Sequence, residues 1–153
     1  MKRAIVCGVD GSPDSEAALA VAAGLADSVG ARLVVANVVE HIPSPYATVG
    51  ALGPAPVVQE PPGAALRDRV EAGERLLAKL AEEAHLEAAE RRVLTGLAAE
   101  RLADLADELD AELIVVGSRG RGAFKAAFLG SVSTSLIGVA RCPVLVVPPG
   151  ARE

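Results

Sequence analysis

The order of apolar runs and amphipathic stretches predicts an α/β fold: an open five-stranded parallel sheet with helices on both faces, in the order β-α-β-α-β-α-β-α-β. Three observations carry it. The runs AIVCGV (4–9), LVVANVV (33–39), LIVV (113–116) and VLVV (144–147) are nearly continuous rather than alternating, as in strands covered on both faces. Between the runs stand longer segments whose apolar residues recur at helical spacing. Aromatic residues make up only 2% of a chain that is 51% apolar, so the core is built from Val, Leu, Ile and Ala, which suits helices packed closely on a sheet.

The elements follow in order. The first strand, Ala4 to Val9, delivers Asp10 to its carboxyl end, and Gly11-Ser12-Pro13 turns the chain. Ser12 is placed to cap the next helix, with Pro13 in its first turn, where a missing N–H costs nothing. Ala17, Ala18, Val21, Ala22, Leu25 and Val29 form the buried stripe of that helix, and Gly30 ends it. Leu33 to Val39 is the second strand. Residues 40–65 carry six prolines and three glycines, which predicts a long loop inside one domain. A charged helix is expected from Ala64 to about Glu90, a brief strand from Arg92 to Thr95, and a third helix from Ala98 to Leu109. Leu113 to Val116 is the fourth strand, Ser131 to Ala140 the fourth helix and Val144 to Val147 the fifth strand.

The 153 residues suit one domain spanning 1–153. The net charge of −5 argues against nucleic acid as a partner, since binding a phosphate backbone needs a basic face. The sign is unevenly spread. Residues 1–112 hold 10 Lys/Arg against 19 Asp/Glu, whereas residues 113–153 hold 5 Lys/Arg against one Glu. Cys7 and Cys142 lack partners at metal-ligand spacing and read as packing residues. Asp10, Asp14 and Glu16 interrupt any signal-peptide pattern at the amino end, and no apolar stretch reaches the ~18 residues of a membrane helix, so a cytoplasmic protein without membrane contact is expected.

The chemistry concentrates in LIVVGSRGRGAFKAAFLGSVS (113–133). Gly117, Gly120 and Gly130 allow close approach to a backbone, and Gly130-Ser131-Val132-Ser133 opens a helix whose free N–H groups suit an anion. Arg119 and Arg121 add positive charge. The stretch therefore predicts a phosphate cradle. It lacks GxxxxGK[ST], and Lys125 stands where a dinucleotide fingerprint needs its last glycine. Blander readings exist for each residue: Asp10 braces its turn, Ser131 caps its helix, Phe124 and Phe128 pack on the sheet, and His41 and His85 have no catalytic surroundings.

The spacing Gly117-x2-Gly120-x9-Gly130-Ser131 after a hydrophobic strand resembles the ATP-binding signature of the universal stress protein family. GVDGS after the first strand, DAELIVVGSRGRG around the fourth, GSVS at the helix start and CPVLVVP near the end extend the resemblance over the whole chain. It implies a Rossmann-like sheet of the adenine nucleotide alpha hydrolase-like kind, and a nucleotide-dependent regulatory or stress-response module that hydrolyses ATP slowly if at all. It implies ATP, with Mg2+, as ligand. Val9 and Asp10 would lie near the nucleoside, the Asp10 carboxylate reaching ribose or the metal, and the Val38 backbone would read the adenine edge. Gly117 and Gly120 would line the ribose-phosphate path, and Gly130, Ser131, Val132 and Ser133 would hold the phosphates. It also implies a homodimer through Val144 to Val147. Two other readings stay open: a stress-family protein that works through partners without nucleotide, and an ATP-pyrophosphatase-type enzyme. The loop of the latter is only half matched by Gly11-Ser12-Pro13-Asp14-Ser15.

Overall fold

The computed structural model describes residues 3–40, 62–119 and 129–150. Five strands and four helices alternate: β1 (Ala4–Gly8), α1 (Pro13–Val29), β2 (Arg32–Glu40), α2 (Pro62–Glu83), β3 (Glu90–Gly96), α3 (Ala98–Glu108), β4 (Leu113–Gly117), α4 (Ser131–Val139) and β5 (Val144–Val147). All strands are parallel, in the order β3-β2-β1-β4-β5. The expected fold class is therefore the observed one. Most of the proline-rich stretch, residues 41–61, lies outside the described residues, as do Gly120, Arg121, Phe124, Lys125 and Phe128.

Apolar residues on both faces of each central strand give the sheet two cores. On one face Val6, Val34, Ala36, Ile114 and Val116 meet Leu102, Leu105 and Ala106 of α3 and Leu136 of α4. On the other, Ile5, Cys7, Leu33, Val35 and Val115 meet Ala18, Leu19 and Ala22 of α1 and Leu77 and Leu80 of α2. Alanine on α1 lets that helix lie close to the strands, which compensates for the scarcity of aromatic residues.

Helix boundaries follow the residue pattern at α1 and depart from it further along the chain. Ser12 caps α1, its Oγ accepting the Ser15 N–H at 3.2 Å, with Pro13 behind it in the first turn. Three helices then close in one way: a residue with positive φ turns the chain, and the next N–H reaches back to a carbonyl five residues earlier. Gly30 (φ 66°) does this for α1, with Ala31 N–H to Ala26 O at 2.9 Å. His85 (φ 53°) does it for α2, with Leu86 N–H to Ala81 O at 2.7 Å, and Asp110 (φ 49°) for α3, with Ala111 N–H to Ala106 O at 2.8 Å. Hence α2 stops at Glu83, short of the expected Glu90. The chain regained this way lengthens β3, which pairs with β2 from Val34↔Glu90 to Glu40↔Gly96.

The strand order places the winding reversal between β1 and β4. The chain moves outward from β1 through β2 to β3, then returns to the other side of β1 to lay down β4 and β5. In open α/β sheets a crevice forms outside the carboxyl ends of the two strands at such a reversal. Among the described residues no helix is long and apolar enough to cross a membrane.

Candidate functional site

Three strand ends and one helix start meet at the reversal. At the end of β1, the Val9 N–H donates to Ala36 O at 2.9 Å, and the Val9 carbonyl accepts the buried Asn37 Nδ2 at 2.9 Å. Both backbone groups of Val9 are thus fixed by β2. Asp10 follows, half-buried, with Oδ1 accepting the Ser12 N–H at 2.9 Å and its own N–H donating to Ser15 Oγ at 3.3 Å. These bonds hold the turn that carries its carboxylate.

Val38 belongs to β2 beyond the reach of β1, whose ladder ends at Gly8↔Ala36. Backbone direction alternates along a strand, so Val38 aims its N–H and C=O to the same side as Ala36, past the point where β1 has turned away. Its side chain packs on the α3/α4 core. The Val38 backbone pair thus faces the side of β2 on which the β1 ladder has already ended.

The end of β4 is governed by a residue the sequence did not single out. Ser118 is buried, and all of its polar groups are engaged. Its N–H donates to Val147 O at 2.8 Å, its Oγ donates to Asp14 Oδ2 at 3.0 Å, and its carbonyl accepts the Gly130 N–H at 2.6 Å and the Ser133 Oγ at 3.2 Å. One residue therefore fastens β5, the first turn of α1 and the start of α4 to the tip of β4. Arg119 N–H also donates to Asp14 Oδ2, at 3.2 Å, and its Nε lies 3.5 Å from the same oxygen.

Gly117 is small for a packing reason. A Cβ there would lie 2.7 Å from the carbonyl carbon of Asp14. Gly130 is the N-cap of α4, with no side chain to bond the first turn. Ser131 at the first helical position is exposed, Val132 is half-buried, and Ser133 is 2% exposed with its hydroxyl turned to the carbonyls of Ser118 and Gly130. Gly120 lies outside the described residues. Thus Val9, Asp10, Val38, Gly117, Arg119, Gly130, Ser131, Val132 and Ser133 all stand at the carboxyl end of the sheet or at the helix start tied to it. Asp14, Ser118 and Asn37 are the residues that join those parts. Among the described residues no three His, Cys, Asp or Glu side chains gather as a metal site.

Residues 1–148 match the model of the Universal stress protein family. The chain belongs to the universal stress protein family. A relative from Thermus aquaticus, the universal stress protein in QAH/OAS sulfhydrylase 3′ region, is 36% identical over 147 residues, covering 96% of this chain and 99% of the relative. Among solved structures, a universal stress protein in complex with cAMP is 25% identical, with a TM-score of 0.67 over 97% of this chain and 98% of that one. The universal stress protein from Archaeoglobus fulgidus in complex with dAMP is 21% identical, with a TM-score of 0.62 over 96% and 98%. The universal stress protein fold accordingly extends over nearly the full length of the chain.

Proposed function

We propose that this universal stress protein is an ATP-binding regulatory module, with the nucleotide lying across the β1/β4 reversal. The observation that carries the reading is the bond from Gly130 N–H to Ser118 O at 2.6 Å, which brings the uncapped start of α4 to the tip of β4, beside the strand that leads into Asp10. A helix start with no capping side chain offers N–H donors to an anion. In this reading the amides of Ser131, Val132 and Ser133 and the Ser131 hydroxyl hold phosphates, the Val38 backbone meets adenine, and Asp10 faces ribose or a Mg2+ ion carried by the phosphates. The resemblance adds Gly120, outside the described residues, to the phosphate path. The nucleotide-bound relative, solved with cAMP, supports an adenine nucleotide as the ligand class.

Hydrolysis in this reading is slow at most. Asp14, the buried carboxylate beside Ser118, already meets Ser118 Oγ, Arg119 N–H and Arg119 Nε, so it is poorly placed to accept a proton from water. We further propose a homodimer through Val144 to Val147. The support is that Val144, Leu145 and Val146 are only half-buried on a strand at the sheet edge, with Ile137 and Val139 exposed on the neighbouring α4. Light scattering of the purified protein, compared with Leu145→Lys, reads the dimer.

Nucleotide binding is tested by denaturing the purified protein, identifying released small molecules, and titrating the stripped protein with ATP. Released adenine nucleotide, or a rise in melting temperature with ATP, is the expected outcome. Neither appearing overturns the reading in favour of a nucleotide-independent interaction protein.

A further inference from the structure

The nucleotide reading gives Asp14 no contact with ligand, yet this buried carboxylate meets the Ser118 hydroxyl, the Arg119 side chain and the peptide unit that joins these two residues. The N–H of that unit belongs to Arg119 and donates to Asp14 Oδ2 at 3.2 Å; its C=O belongs to Ser118 and accepts the Gly130 N–H at 2.6 Å. A trans peptide is a rigid plane whose N–H and C=O point in opposite directions. Asp14 on α1 and Gly130 at the head of α4 are therefore linked through one flat plate. Two bonds flank the plate, one on each side: Ser118 Oγ to Asp14 Oδ2 at 3.0 Å, and Ser133 Oγ to Ser118 O at 3.2 Å. Gly117 lets the plate lie this close, because a Cβ there would strike the Asp14 backbone at 2.7 Å. Bonds in such a chain polarise one another, and those to an ionised acceptor are the stronger ones.

We propose that Asp14 is the positioning residue of the phosphate cradle: by orienting the Ser118–Arg119 peptide it sets where the first amides of α4 stand. The proposal rests on the nucleotide reading of the site. Its consequence is selective. Binding of the nucleoside, which the reading gives to Asp10 and Val38, is insensitive to Asp14, whereas the contribution of the phosphates depends on it.

The test compares wild type with Asp14→Ala, Asp14→Asn and Ser118→Ala by amide hydrogen exchange without ligand and by titration with ATP and with adenosine. In Asp14→Ala, exchange at residues 130–133 is expected to quicken and ATP affinity to fall about tenfold, the scale of one well-placed hydrogen bond, with adenosine within about twofold of wild type. Asp14→Asn keeps an acceptor oxygen and is expected to restore most of both. Unchanged exchange at 130–133, ATP and adenosine weakening together, or Asn performing no better than Ala each overturns the proposal. If Asp14→Ala does not fold, Ser118→Ala decides: a quickened 130–133 segment with a shift in preference toward adenosine supports it, and no change overturns it. Should wild type bind no adenine nucleotide, the reading of the site falls, while the exchange data still decide whether Asp14 holds α4.

Discussion

Gly117 and Asp14 touch backbone to backbone: a Cβ on the glycine would stand 2.7 Å from the aspartate carbonyl carbon and 2.8 Å from its oxygen. No flexible side chain is available to yield, so either β4 or the head of α1 must move. Gly117→Ala is expected to lower stability by about 1–3 kcal/mol and Gly117→Val by more, as for overpacked cores. Urea denaturation measures it; a stable Gly117→Val protein with normal folding would show that this contact is soft.

Asn37 is the polar exception in the apolar run of β2. It is buried, donates to Val9 O at 2.9 Å, and its Oδ1 would lie 2.7 Å from a Cβ placed on Gly73 of α2. Asn37→Ala leaves the Val9 carbonyl short of a donor and is expected to cost about 1–3 kcal/mol. Chemical denaturation gives the loss. Amide exchange around Val9 and Asp10 shows whether the β1 turn loosens with it.

Much of this architecture is legible from residues alone. Continuous apolar runs announce the parallel strands, Ser12-Pro13 and Gly30 bracket α1, and Asp10 stands at a strand end as expected. Local patterns miss what depends on partners distant in sequence. Nothing near Asp14 marks it for Ser118, because the two meet only when β4 is laid beside β1. Gly117 reads from sequence as a ligand-lining glycine, and nothing local shows that the head of α1 also packs against it. His85 and Asp110 end helices in the left-handed conformation that the sequence suggests only for glycine, because the reach-back bonds at Leu86 and Ala111 offset the strain of the turn.

Cys7 gives a pH signature. Burial in the α1/α2 core pushes its thiol up to about 12 from the ordinary 9.0. Below pH 9 the thiol is neutral in both folded and unfolded chains, and the contribution is complete. Between 9 and 12 only the unfolded chain ionises, so stability falls as pH rises through that window. Urea midpoints of wild type should decline more steeply there than those of Cys7→Ala. A thiol reagent at neutral pH should label half-buried Cys142 in the native protein and reach Cys7 only after unfolding.

The exposed pairs Glu71–Arg75 and Lys79–Glu83 on α2, each at 3.8 Å, are expected to contribute little. Neutralising either with Gln should change stability by less than about 0.5 kcal/mol, an effect that shrinks further in high salt. A loss several times larger in a denaturation series would mean that α2 leans on its charged face more than on Leu77 and Leu80.

The short bond between Ser118 O and Gly130 N–H has an evolutionary consequence. It closes the stretch between those residues at its base, with Ser118 itself anchored to β5 through Val147 and to α1 through Asp14. Enlarging a closed stretch costs only about 0.6 kcal/mol for each doubling of its length. The strand tip and the helix head are thus held to each other by a bond of their own, whatever sequence stands at 120–128. Ser118 and Gly130 act as a fixed socket, and sequence changes at 120–128 are expected to leave the scaffold's own bonds in place.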